Sequence, residues 1–218
     1  MKGSLWVGTM SWLLLSPAAS GLADEPTGQG SGRQRAIVVH VRNYAGVPDE
    51  ALSTAQQLAQ GILARAGVET TWSDGSRARL PNEVILELLG RRQCAALVGS
   101  PDTLGLALLP KNGATPAYAA VFLEKAEALS RLGDASTAQV LGHAIAHEIG
   151  HLLLGTPDHS ATGIMRARWS RDELRRAAWG QLLFTPEQSA LLRTAAVDRR
   201  SPSDPLALLA AAAGTDRR

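Results

Sequence analysis

The chain of 218 residues has a single cysteine, Cys94, so it cannot form an intramolecular disulfide. The surrounding segment Cys-Ala-Ala-Leu-Val is apolar, which indicates a buried and inert thiol. No histidine nearby in the sequence could activate Cys94 as a nucleophile. Disulfide-based stabilisation within the chain is therefore excluded, and cysteine catalysis is not expected.

An excess of charge of one sign is also lacking. The chain has 22 Lys and Arg against 20 Asp and Glu, a formal net charge of +2. Five arginines do gather in one later stretch, but without interleaved aromatic residues, so we interpret them as a solvated helix face. They are Arg166, Arg168, Arg171, Arg175 and Arg176. Nucleic acid is therefore not an expected partner.

The sequence has no apolar run long enough to cross a bilayer comfortably. The most apolar early stretch, Leu5 to Leu15, is short and is interrupted by glycine and hydroxyl residues. Because Lys2 precedes it and small residues follow it, the pattern predicts a signal peptide over residues 1–23, cleaved near residues 19–23. We expect a secreted or periplasmic protein without membrane contact after cleavage; the alternative is an N-terminal membrane anchor.

The rest of the composition is that of one globular domain. Hydrophobic residues make up 45% of the chain and charged residues 19%. Residues 24–34 are rich in Gly, Ser, Pro and Thr and predict a flexible lead-in, and residues 35–200 are long enough for a domain with a real core. Residues 201–218 form an Ala-rich tail that we expect to be disordered.

Apolar runs and helical spacing predict an α/β fold. The predicted strands and apolar runs are Ala36–Val41, Val68–Trp72, Val84–Leu89, Cys94–Val98, Leu104–Leu109 and Tyr118–Leu123. The predicted helices are Asp49–Ala66, a long helix, Arg171–Leu183 and Thr185–Val197. The long helix has Asp134 or Ser136 as its N-cap and ends in a left-handed cap at Gly155. The first strand–helix–strand unit indicates a parallel strand pair. The pattern of residues 124–132 suits either a helix or an extended segment.

Four of the five histidines fall between residues 143 and 165. Two of them, His147 and His151, belong to an HExxH motif on a predicted helix, and residues four apart share one helical face. Both imidazoles can therefore reach one metal ion, and Glu148 lies where it can contact a bound water without binding the metal. Zinc would lower the pKa of that water, and Glu148 would take its proton as the water attacks a carbonyl.

A third ligand is needed for a catalytic zinc site with an open position. If the chain reverses at Gly155, His159 returns towards the two helical histidines, and we predict His159 as that ligand. Asp158, Glu173 and His143 are the alternatives. Asp158 neighbours His159, Glu173 follows about twenty residues after the motif, and His143 lies one turn before it. A structural role is the more natural interpretation of His143, because three successive helical turns cannot easily surround one ion.

This segment resembles the zinc-binding region of the metzincin metallopeptidases, HExxHxxGxxH followed by a methionine-containing turn. His147, Glu148 and His151 match the HExxH part of this pattern directly. The resemblance makes Gly155 the turning glycine, His159 the third ligand and Met165 the Met-turn residue, an apolar floor beneath the metal. The glycine comes one residue late and the third histidine two residues late, and the stretch from there to the methionine is short.

The resemblance also implies a fold and a substrate position. It implies a mixed, mostly parallel twisted sheet packed on two main helices, the second carrying HExxH, followed by a small helical C-terminal part. Members of the family bind substrate along an edge strand before the zinc helix. Leu104 to Leu109 is the candidate for that strand.

The predicted function is that of a secreted zinc-dependent endopeptidase with one catalytic zinc ion and a peptide or protein substrate. One alternative is a non-catalytic zinc-binding module that recognises a partner, although a structural site has no use for Glu148. The other is a zinc hydrolase with a non-peptide substrate. Outside the motif, His40, Trp169 and Trp179 are interpreted as core residues. Tyr118 is interpreted as packing in a strand rather than as an oxyanion donor.

Overall fold

A computed structural model describes residues 36–74, 83–93, 103–109 and 117–200, with side chains up to residue 196. The predicted signal peptide, the lead-in, the Cys94–Val98 run and the Ala-rich tail lie outside these ranges. The domain boundaries predicted from the sequence therefore remain predictions. The helices within the described ranges include none with the length and apolar character needed to cross a bilayer.

Five strands form one mixed sheet. They are β1 (Ile37–Asn43), β2 (Thr70–Ser73), β3 (Glu83–Leu89), β4 (Gly105–Leu108) and β5 (Ala117–Phe122). Their order across the sheet is β2-β1-β3-β5-β4. The pairs β1–β2, β1–β3 and β3–β5 are parallel, whereas β4 runs antiparallel to β5. The predicted mostly parallel sheet is confirmed, and β4 is an outer strand, as expected for the Leu104–Leu109 segment.

Alternating residues give the sheet two different faces. One face joins the main hydrophobic core through residues such as Val39, Leu86 and Val121. The opposite face carries polar residues, among them His40, whose Nε2 lies 3.5 Å from a Glu83 carboxylate oxygen. His40 is buried, which agrees with its interpretation as a core histidine.

Five helices have described bounds, α1 (Asp49–Arg65), α2 (Leu123–Ser130), α3 (Thr137–Leu154), α4 (Arg171–Ala178) and α5 (Pro186–Arg200). Residues 91–93 are helical as well. The segment of ambiguous pattern is thus the helix α2. Helices α1 and α3 pack closely at Gly142, where an added Cβ would lie 2.8 Å from the Ala55 carbonyl oxygen. All residues of α3 from Val140 to Leu153 are buried, so this helix is the centre of the domain.

Both ends of α3 follow the prediction. Ser136 caps the helix and forms a capping box with Gln139, in which each side chain accepts a hydrogen bond from the other residue's backbone N–H. Gly155 ends the helix in the left-handed conformation with φ of 67°. Between these two ends, the HExxH motif lies in the C-terminal half of α3, with His151 in the last turn.

Three expectations for the C-terminal part are wrong. Helix α4 ends at Ala178 and does not reach Leu183, because Gly180 takes a φ of 66° and turns the chain. Trp179 is 69% exposed and is no core anchor. The arginines do not form one helix face either: Arg166 and Arg168 lie in the loop before α4 and line a cleft described below.

Candidate metal centre and active site

The two motif histidines lie one turn apart on α3, and both are held by backbone carbonyl groups. His147 Nδ1 lies 2.7 Å from the Ile164 carbonyl oxygen, and His151 Nδ1 lies 2.9 Å from that of Thr156. Because a carbonyl oxygen can only accept, each Nδ1 carries the proton and each Nε2 keeps a free lone pair in the neutral ring. The two Nε2 atoms are 3.0 Å apart. Two nitrogen lone pairs are thus directed to one point.

His159 completes the cluster from the far side of the turn. Its ring stacks on that of His147 with centroids 5.4 Å apart, and it lies edge-on to His151 at 4.8 Å. One potential ligand atom from each of the three histidines lies within 4.8 Å of the others. Within the described ranges, no other group of three His, Cys, Asp or Glu residues meets this criterion. The structure therefore brings together the three histidines that the sequence predicted.

The turn that returns His159 to the helix is built from local hydrogen bonds. After Gly155, the Thr156 hydroxyl donates to Asp158 Oδ2 at 2.8 Å, and the Asp158 backbone N–H donates to that hydroxyl oxygen at 3.1 Å. The Asp158 carboxylate is engaged in this turn and is outside the cluster. The longer spacing before the third histidine is accommodated by this turn.

The other two alternative ligands also lie outside the cluster. Glu173 accepts hydrogen bonds from the Ser170 backbone N–H at 2.9 Å and from Arg166 at 2.7 Å. Burial alone would raise the pKa of Glu173, but hydrogen bonds from Ser170 and Arg166 outweigh it and lower the pKa to about 2. His143 Nδ1 donates to the Gln139 carbonyl at 2.7 Å, and its ring meets the edge of Trp169 at 6.4 Å. Both residues have structural contacts.

The imidazoles of His147 and His151 are held in the form that metals bind. Burial lowers the pKa of His147 to about 4, although the hydrogen bond to Ile164 opposes this effect. Burial also lowers the pKa of His151. Neutral imidazoles are therefore present at neutral pH, and a metal ion needs to displace no proton from them. Three imidazole nitrogens are a donor set that suits zinc.

Glu148 is 4% exposed and lines the same cleft as the three histidines. Burial raises its pKa to about 8. A divalent cation nearby would oppose that effect, because it favours the charged carboxylate. Glu148 thus lies in the same cleft as the histidine cluster without belonging to it.

Met165 is 1% exposed and lies against α3 between the two motif histidines. An added Cβ on Gly150 would approach the Met165 sulfur to 2.8 Å and a Phe184 ring carbon to 2.7 Å. The resemblance implies that Met165 forms an apolar floor beneath the metal. The role itself stays a prediction.

Sequence reasoning missed the groups that orient His147 and His151. Trp169 Nε1 donates to the Ile164 carbonyl oxygen at 3.2 Å, the same oxygen that accepts from His147. The Trp169 ring also meets the edge of the His147 ring at 6.0 Å and lines the cleft, so it is more than a core anchor. No sequence signal marks a backbone carbonyl as a partner, and only the tryptophan could have been suspected.

A cleft of about 650 Å³ opens beside the cluster, a volume within the usual range for ligand sites. Its walls come from the β4 segment, α2 and the residues after it, α3 and the loop after Met165. Much of the lining is aliphatic: Leu104, Leu106, Ala107, Leu109, Ala128, Leu129 and Leu132. The cleft thus extends well beyond the three histidines and leaves room for a substrate.

Tyr118 is not among the residues that line this cleft. Its hydroxyl donates to Glu87 Oε2 at 2.7 Å, between the neighbouring strands β5 and β3. Burial and the Glu87 carboxylate raise the pKa of Tyr118. The structure gives Tyr118 a contact between strands, in line with the interpretation from the sequence.

Comparisons with known proteins give a distant structural likeness. No protein-family model matches the chain, and no curated protein matches it. A solved structure described as a zinc-dependent peptidase from Methanocorpusculum labreanum (strain Z) is similar, with 17% sequence identity and a TM-score of 0.44. The match covers 71% of this chain and 99% of that one. A similarity of this size assigns neither a family nor an activity to the chain.

Proposed function

We propose that the chain is a zinc-dependent endopeptidase that is exported from the cytoplasm. The observation that carries this proposal is the convergence of His147, His151 and His159 beside the buried Glu148 carboxylate in an open cleft. A metal site of three imidazoles with a carboxylate next to it is the arrangement of hydrolytic zinc enzymes. Export rests only on the signal-peptide pattern of residues 1–23.

In this mechanism the three histidines hold the metal and Glu148 moves the proton. A bound zinc ion supplies Lewis acidity, which makes a water more acidic and polarises a carbonyl group. Glu148 accepts the proton of the attacking water and then donates it to the leaving amine. The Ile164 and Thr156 carbonyls keep the imidazoles of His147 and His151 in the tautomer that leaves Nε2 free.

A peptide is the substrate that the cleft supports best. Strand β4 pairs with β5 on one side, and in the described ranges no strand pairs with its other side. Residues of this strand line the same cleft as the three histidines. An extended peptide can add to such an edge through backbone hydrogen bonds, and this mode does not depend on a particular side chain.

A non-catalytic zinc module is disfavoured by Glu148. A structural zinc site is closed by four protein ligands, whereas the cluster of the described residues has three. A buried carboxylate that binds no metal costs free energy without adding to such a site. In a hydrolase the same carboxylate would act as the general base.

The test is cleavage of a mixed peptide library by the zinc-loaded mature protein, compared with its Glu148→Gln variant. We expect cleavage by the wild type and a loss of roughly 10²-fold or more in rate for the variant, because it removes the general base. Both proteins should contain the same amount of zinc. Equal rates would contradict the mechanism, and two inactive proteins with bound zinc would favour the non-catalytic module.

A further inference from the structure

Gly105, the first residue of β4, lies against both Glu148 and the backbone of β5. A Cβ added to Gly105 would lie 2.6 Å from Glu148 Oε1 and 2.8 Å from Glu148 Cγ. It would also lie 2.6 Å from the Ala120 carbonyl oxygen. These distances are far below the 3.5–4.0 Å or so at which carbon atoms normally rest against neighbours. Any side chain at this position therefore requires something to move.

The backbone conformation is not the reason for a glycine here. The glycines with positive φ in the described ranges are Gly46, Gly67, Gly155, Gly163 and Gly180, and Gly105 is not among them. Alanine could adopt the same strand conformation without strain. Only the space next to Gly105 excludes a side chain, and the Glu148 carboxylate occupies much of that space.

Of the two neighbours, the Ala120 carbonyl is the one that cannot yield. Ala120 lies in β5, which pairs with β3 on one side and with β4 on the other. The Glu148 side chain has rotatable bonds, and its backbone is fixed in the middle of α3. A methyl group on residue 105 would therefore have two effects: the start of β4 must shift away from the Ala120 carbonyl oxygen, and the Glu148 carboxylate must leave its present position.

We propose that Gly105 is a positioning residue for Glu148: the missing side chain leaves the slot in which the carboxylate is held beside the histidine cluster. This inference rests on the proposed role of Glu148 as general base. Gly105 itself takes no part in the chemistry. It sets the direction in which Glu148 extends from α3, and thereby its distance from the reacting water.

The first test is Gly105→Ala in the full chain, with Gly61→Ala as the matched control. An added Cβ on Gly61 would meet nothing within 4 Å, so this control adds the same methyl group without a contact. We expect Gly105→Ala to lower kcat on the order of 10²-fold, since a displacement of about 1 Å can cost that much, with KM changed little. Zinc affinity, measured by competition with a chromophoric chelator, should stay within about twofold. A kcat like that of the control would overturn the proposal.

A second test needs no catalytic activity. The melting temperature is measured for the wild type, Gly105→Ala, Glu148→Ala and the double variant. Gly105→Ala should lower the melting temperature in the wild type and lower it less in the Glu148→Ala chain, because there only the Ala120 carbonyl still opposes the methyl group. Equal losses in both chains would show that only the β5 backbone opposes the methyl group and would overturn the proposal. The loss of melting temperature could depend on Glu148 in a protein that cleaves no peptide. That result would support the contact between Gly105 and Glu148 and contradict the proposed peptidase function.

Discussion

At the scale of single residues, the sequence predicted the three histidines of the site but not the groups that orient their side chains and that of Glu148. His147 and His151 are four residues apart, and residues at this spacing lie on the same face of a helix, so their convergence could be predicted. The return of His159 followed from the left-handed cap at Gly155. The carbonyls of Ile164 and Thr156 and the slot at Gly105 could not be predicted, because they depend on how distant segments pack.

Trp169 is expected to support the metal site through the Ile164 carbonyl. Trp169→Phe keeps an aromatic ring against His147 but removes the Nε1–H that donates to this oxygen at 3.2 Å. We expect zinc affinity to fall about 10-fold, the lower end of the effect of such supporting groups. The measurement is a competition titration with a chelator. Trp179→Phe is the control, since Trp179 is 69% exposed, and equal affinities of the two variants would contradict the role of Trp169.

The third ligand can be tested by two neighbouring substitutions. His159→Ala removes an imidazole from the cluster, whereas Asp158→Ala removes a carboxylate that is bonded to Thr156. We expect a loss of zinc affinity above 100-fold for the first, because a direct ligand matters more than a supporting group, and a much smaller loss for the second. Metal content after dialysis against a dilute chelator measures both. The reverse order would assign Asp158 as the ligand.

At the scale of helices and strands, local signals predicted the long helices and failed where short elements meet. The cap at Gly155 bounded the end of α3 correctly, and Ser136 was one of two candidate caps, with Asp134, for its start; both kinds of signal act within one turn. The end of α4 was mispredicted because Leu182 and Leu183 continue the apolar pattern beyond the turn at Gly180. Leu182 is buried in the core although it lies outside the helix. An apolar residue at helical spacing can therefore be buried without being helical, and the sequence pattern alone does not distinguish the two cases.

Glu173 connects α4 to the loop that follows Met165, and it should make stability depend on pH. Its pKa is lowered to about 2 in the folded chain from an ordinary value of 4.5. A lowered carboxyl pKa contributes stability above the unfolded value, and that contribution is lost as the pH falls from about 4.5 towards 2. Glu173→Gln should cost about 1–2 kcal/mol at neutral pH, the lower part of the range for charged hydrogen bonds because Arg166 is partly exposed.

Urea unfolding of wild type and Glu173→Gln at neutral pH and at about pH 3 measures this effect. The difference in unfolding free energy between the two proteins should shrink at the lower pH. Glu50→Gln, at an exposed residue in the first turn of α1, is the control for a general loss of negative charge. A difference that does not change with pH would show that the Glu173 ion pair does not stabilise the fold.

At the scale of the whole molecule, the candidate metal site joins two parts of the domain. His147 and His151 belong to the buried helix α3, whereas His159 is exposed and lies on the loop after it. Most strands and helices could be predicted from apolar patterns, because each pattern is local, whereas the mixed, mostly parallel sheet was expected from the family resemblance. The cleft could not, since its walls come from four separate segments. A bound ion would hold the loop to the helix from within that cleft.

Zinc should therefore stabilise the whole domain, and this is measurable without a substrate. A ligand that binds only the folded chain adds about 2.7 kcal/mol to the unfolding free energy when its free concentration is 100 times its Kd. Thermal unfolding in excess chelator and in increasing free zinc should show a melting temperature that rises with zinc. In His159→Ala the rise should need much more zinc, because one of the three nitrogen donors is missing. A wild-type melting temperature that changes with neither chelator nor zinc would contradict a metal site at these histidines. This outcome does not depend on which substrate the protein hydrolyses.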